Sequence, residues 1–162
     1  MPTPPPKSLE TRVAEAVAAA VAALTPRVPR SQVYVRAAGI FVPDRDKLPS
    51  LLVCSTPGQG PSLRRLLRPR RAEVTCFATV ILADAQNANL KASKAADTDT
   101  DWRVAWRVAV VAAVAGHRLG AVPEVVRVFA DAGEALDMSQ FESSNLWWSA
   151  VTFRAVCRVD TP

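Results

Sequence analysis

Histidine is nearly missing from this chain: His117 stands alone, and only three cysteines, Cys54, Cys76 and Cys157, accompany it. No Cys-x-x-Cys occurs, so a tetrahedral zinc centre has no ligand set to draw on. The cysteines are odd in number, far apart, and each sits among apolar residues. They read as small buried hydrophobes in a reducing compartment, with no disulfide framework. Glycine is also scarce, at six residues. The one glycine-bearing loop that invites a phosphate-loop reading, "TPGQGPS" after Cys54, is followed by no Gly-Lys-Ser/Thr to reach a phosphate and its metal. An ordinary turn or hairpin is expected there.

Long apolar runs are absent too. The alanine-rich segment Val13–Leu24 falls short of the roughly 20 residues that span a bilayer. The opening "MPTPPPK" has no basic segment with an apolar core and cleavage site behind it. The expectation is a soluble chain made in the cytoplasm, with a disordered proline-rich tail over residues 1–7 and one domain over 8–162. Nearly half of the 162 residues are apolar, enough for one core without staples.

Catalytic chemistry has little to build on. His117 falls in the last turn of a predicted helix, where a cation is electrostatically welcome, and no orienting partner or nucleophile is visible for it. The carboxylates Asp97, Asp99, Asp101, Asp131, Glu134 and Asp137 fall in loops and caps, and the serines lack a partnered base. The reading is therefore no enzyme, no cofactor and no metal.

Positive charge is what the chain does have. Ten basic residues against two acidic ones lie between Arg27 and Arg71, a local +8 within a total of +5, which leaves the remainder slightly acidic. The densest part is "SLRRLLRPRR", residues 62–71, with Arg64, Arg65, Arg68, Arg70 and Arg71. Such a run suits a phosphate backbone, an acidic protein surface, or plain solvation. Sequence-specific nucleic-acid binders add stacking aromatics or a recognition helix, and here the aromatics lie far from the arginines. A non-sequence-specific nucleic-acid-binding protein is the alternative this stretch supports.

Patterning sets the fold. Ser8 caps a helix with Leu9, Val13, Val17, Ala20, Val21 and Leu24 at helical spacing, up to Pro26. Strands are expected at Gln32–Arg36, Pro49–Ser55, Ala72–Ala83, Glu124–Phe129 and Leu146–Val159. In Ala72–Ala83, Val74, Cys76, Ala78, Val80 and Leu82 form one face, and the far end is apolar on both. Asp84–Thr100 reads as a flexible polar loop. A second helix is expected over Asp101–Arg118, with the widest apolar coverage and with Arg103 and Arg107 on an exposed side. A helical turn is expected near Ala135–Phe141. Trp147 and Trp148 are adjacent in a strand and must point to opposite sides. The fold class is α+β: a mixed, mostly antiparallel sheet with two main helices packed on one face.

In this layout the chain resembles the tail terminator proteins of long-tailed bacteriophages. The likeness runs from about Leu9 to Val159. It is carried by the leading helix, "LPSLLVC", a long strand and polar loop, the helix "DWRVAWRVAVVAAV", "VPEVVRV", and "ALDMSQFESSNLWWSAVTFRAVCRV". The resemblance implies a virion structural protein that assembles as a ring, a hexamer in that family, on the finished tail tube. It implies tail tube and head-completion (neck) proteins as partners, a place at the head–tail connection, and no membrane. No individual functional residue carries over. In such a ring, Arg64, Arg65, Arg68, Arg70 and Arg71 are candidate contacts to partner proteins or to DNA passing through the channel. Trp148, Arg154 and Arg158 are candidate subunit-interface residues.

Overall fold

A computed structural model describes residues 6–24, 28–36, 45–55, 60–68, 70–85, 94–131 and 146–160. Its spine is a pair of 15-residue antiparallel strands, β4 (Arg71–Ala85) and β6 (Leu146–Asp160), in unbroken register from Arg71 opposite Asp160 to Ala85 opposite Leu146. On one side of β6 lies β5 (Val125–Asp131). The other side of β4 is shared end to end. β2 (Ser50–Cys54) pairs with residues 79–83, and β3 (Ser62–Arg68) pairs with residues 71–75. β1 (Val33–Arg36) adds parallel to β2, and all other pairings are antiparallel. The architecture is the α+β sheet that the patterning predicts.

Both helices cover one face. α1 (Leu9–Ala22) begins where the Ser8 hydroxyl accepts the Thr11 N–H at 3.2 Å, the N-cap bond expected of a serine there. Val13, Ala14, Val17, Ala18 and Val21 form its buried stripe. The alanines let the helix lie close to Leu51 and Val53 of β2 and to Cys76, Ala78, Val80 and Leu82 of β4, all in one core with Phe153, Ala155 and Cys157 of β6. The alternation read from β4 thus holds, and its apolar end is buried on both faces, at Leu82 and Ala83.

α2 (Lys94–Val114) starts earlier than expected. Together with the extension of β4 to Ala85, this leaves only 86–93 of the expected 84–100 loop, and those residues lie outside the described ones. Ala95 and Ala96, strong helix formers, precede the acidic run and let the helix begin before it. The helix closes at Gly116, whose φ of +81° suits a residue without a Cβ, and whose N–H bonds to Val128 O at 2.7 Å.

The helix also sits rotated from its expected facing. Trp106, Val110 and Val114 are buried with Arg103, while Val104 and Val108 are exposed. Arg103 and Arg107 do not face solvent. Arg103 finds a part-buried carboxylate, Asp84, and Arg107 donates to Ser149 Oγ at 3.1 Å and to Ala150 O at 2.7 Å. Those inward partners outweigh the usual preference of guanidinium groups for water. Residues 1–5 of the proline-rich tail expected over 1–7, and the turn expected near Ala135–Phe141, lie outside the described residues. No described helix is long and apolar enough to cross a membrane.

Candidate functional site

The arginine-rich stretch forms a strand, which its sequence does not announce. In β3 the sequence Leu-Arg-Arg-Leu-Leu-Arg breaks the alternation a strand requires, and the structure absorbs the break with register shifts between Leu63 and Arg65 and between Leu66 and Arg68. The first shift has a specific result. Leu63 stands opposite Val74 and Leu66 opposite Ala72, so both leucines fall on the face that the helices cover elsewhere. Arg65 stands opposite Glu73 on the other face, and Arg64, the extra residue, also reaches Glu73. The strand is thereby amphipathic, with a leucine face and an arginine face.

Glu73 anchors that arginine face. Its side chain is 5% exposed, with Arg64 Nη1 at 3.5 Å and Arg65 Nη2 at 3.4 Å. Arg158 of β6 lies directly across the ladder from it. Arg70 makes the turn with φ +70°, exposed to solvent, and Arg71 Nε donates to Asp160 Oδ1 at 3.3 Å across the β4–β6 pair. Arg68 ends β3, and its side chain lies outside the described residues. Of the predicted site residues, the fold therefore gathers Arg64, Arg65, Arg70, Arg71 and Arg158 at one end of the sheet.

Trp148 and Arg154 lie elsewhere. Trp148 is half-buried opposite Ala83, towards the far end of β6. Arg154 sits mid-strand, 3.6 Å from Asp131 and with its guanidinium 5.2 Å from the Phe129 ring. Trp147 points to the opposite side from Trp148, under the guanidinium of Arg103 at 4.7 Å.

Sequence reading missed three residues at the basic end: Arg12, Arg118 and Glu124. Arg12 of α1 forms a two-pronged pair with Glu124, Nη2–Oε1 2.6 Å and Nη1–Oε2 3.1 Å. The hydrogen bonds from Arg12 hold the Glu124 carboxyl below the ordinary range, and Glu124 in turn raises the Arg12 guanidinium. Arg118 is exposed in the connection from α2 to β5. It follows the only histidine, a position that invites the simpler explanation of a cation at a helix end. Beside these residues a cleft of about 460 Å³ opens between Arg71, Arg118, Glu124, Arg158 and Asp160.

The remaining reactive groups are placed quietly. All three cysteines are buried and free. Burial raises the Cys54 thiol, and a hydrogen bond with Cys76 together with burial holds Cys157 protonated. His117 is exposed. Among the described residues no three His, Cys, Asp or Glu side chains gather as a metal site. A second groove, of about 480 Å³, runs between α1 and the edge strand β1 and is walled mainly by alanine and valine with Glu15 and Arg30.

Neither a protein-family model nor a curated protein matches the chain. The functional reading is carried by these surfaces and by the order of helices and strands.

Proposed function

We propose that the protein is a virion structural protein, a tail terminator whose copies close into a ring that caps the tail tube and offers the head–tail joining surface. The observation that carries the reading is the leucine face of β3. Leu63 and Leu66 are 63% and 69% exposed on a strand whose only partner among the described residues is β4. An apolar face beside an open strand edge costs free energy in water and is relieved by docking.

Two further surfaces fit a head-to-tail arrangement, in which one patch meets a different patch on the next copy. Val104 and Val108 stand one helical turn apart on the outer side of α2, both exposed. The path of the main sheet ends in β1 on one side and β5 on the other. The arginine face of β3 supplies the charge contrast that selects partners and orientation. In this reading the partners are further copies of the chain, six by the resemblance, then the tail tube protein and the neck proteins. Catalysis has no part in it.

Multi-angle light scattering of the purified chain, alone and with tail tubes, tests the proposal. A single defined oligomer, formed alone or on tubes and lost in Leu63→Asp/Leu66→Asp, is the expected result. Monomer under both conditions overturns it.

A further inference from the structure

The basic end of the sheet holds more than the arginines of residues 62–71. The cleft there draws Arg71 from β4, Arg118 from the α2–β5 connection and Arg158 from β6, three segments far apart in sequence. Its two carboxylates are both engaged. Glu124 is held by Arg12, and Asp160 by Arg71. Arg118 and Arg158 have no carboxylate partner among the described residues. Three guanidinium groups thus meet two carboxylates on the walls of the cleft, and Arg12, which reaches Glu124 from α1, brings the whole cluster to a net +2.

The two free arginines are held in place by the fold. Arg158 N–H donates to Glu124 O at 2.8 Å, fixing the end of β6 against the start of β5. The connection that carries Arg118 is pinned by the buried Leu119 and Val122 and by two short backbone bonds, Val122 N to Leu119 O at 2.9 Å and Val125 N to Val122 O at 3.0 Å. Arg118 lies four residues beyond the end of α2, outside the last turn over which a helix dipole acts. The helix end therefore does not account for it.

We propose that this cleft binds phosphate groups of a nucleic-acid backbone. Guanidinium forks match phosphate oxygens in pairs, and arginine is the side chain of choice for that interaction. Among the described residues the walls of the cleft hold no aromatic ring to stack a base, so the binding is to backbone and carries no sequence information. Arg64, Arg65 and Arg70, exposed on the adjoining hairpin, extend the positive surface beyond one phosphate and so favour a polymer. This moves the nucleic-acid footprint from residues 62–71 to a surface built from several segments. It also stands apart from the ring reading, since it is measured by duplex binding and the ring by particle mass.

The experiment is fluorescence anisotropy of a labelled random-sequence DNA duplex with the full chain across a salt series. Binding is expected to weaken linearly in log–log form. Arg118→Ala/Arg158→Ala lowers affinity roughly tenfold and the slope by about 2, near 0.9 for each phosphate no longer neutralised. Arg118→Lys/Arg158→Lys keeps the slope. Arg30→Ala/Arg127→Ala, with the same change in net charge outside the cleft, leaves both values as they were. Equal weakening in that control, or weakening in Arg64→Ala/Arg65→Ala with none in Arg118→Ala/Arg158→Ala, overturns the proposal. So does displacement of the duplex by polyglutamate at matched charge, which would mark an acidic protein as the ligand. Inorganic phosphate is the second arm. If it raises the melting temperature of the native chain but not of Arg118→Ala/Arg158→Ala, while the duplex fails to bind, the ligand is free phosphate and the nucleic-acid assignment falls.

Discussion

Arg103 donates from both Nε and Nη2 to one oxygen of Asp84, at 3.0 and 2.7 Å, while its guanidinium lies 4.7 Å from the centre of the Trp147 ring. The two side chains are 5% and 13% exposed. This pair fastens the helix layer to the spine, because Asp84 belongs to β4, Trp147 to β6 and Arg103 to α2. Asp84→Ala leaves a buried guanidinium without its main anion, and a loss of about 3–5 kcal/mol is expected. Replacing both partners, as Asp84→Leu/Arg103→Leu, costs less than the single change, since no charge is then stranded. Urea unfolding of the native chain and the two variants checks the ordering.

The Arg12–Glu124 pair gives a pH dependence. Because the folded carboxyl titrates below its ordinary value of 4.5, the pair contributes stability above that value, and the contribution is lost as pH falls through the folded one. Both side chains are partly open to solvent, so screening limits the effect to about 0.5–1 kcal/mol. Glu124→Gln is expected to lose that amount near neutrality and to converge with the native chain only once pH has fallen below the folded carboxyl's value, which lies under 4.5. Denaturant midpoints across the acid range measure it.

Arg70 turns the β3–β4 hairpin at φ +70°, a conformation that costs a side chain with a Cβ about 1–2 kcal/mol. Arg70→Gly removes that cost and adds backbone entropy to the unfolded chain, for a net gain of about 0.5–1 kcal/mol. A rise in melting temperature is the readout. The same variant probes function, since it deletes one exposed cation beside the cleft without disturbing the Glu73 anchor.

What the sequence disclosed follows from period. β4 and β6 alternate cleanly, so their faces, the sides of Trp147 and Trp148, and the α+β class were all legible. β3 was not, because two register shifts break its alternation and its arginines draw attention to charge instead of pairing. α2 misled for a different reason. Arg103 and Arg107 fit an outward face by residue type alone, and only the tertiary partners Asp84, Ser149 and Ala150 explain why they turn inward. The basic cleft was invisible for want of proximity, since Arg71, Arg118 and Arg158 come together only through the strand ladder and the pinned α2–β5 connection.

In the proposed tail-terminator role, this chain docks with copies of itself and with tube and neck components. Negative-stain electron microscopy of the purified protein, with and without tail tubes, tests it most directly. Closed rings of uniform diameter, free or seated at tube ends, are the expected result. Particles no larger than one chain, with tube ends left bare, would contradict it.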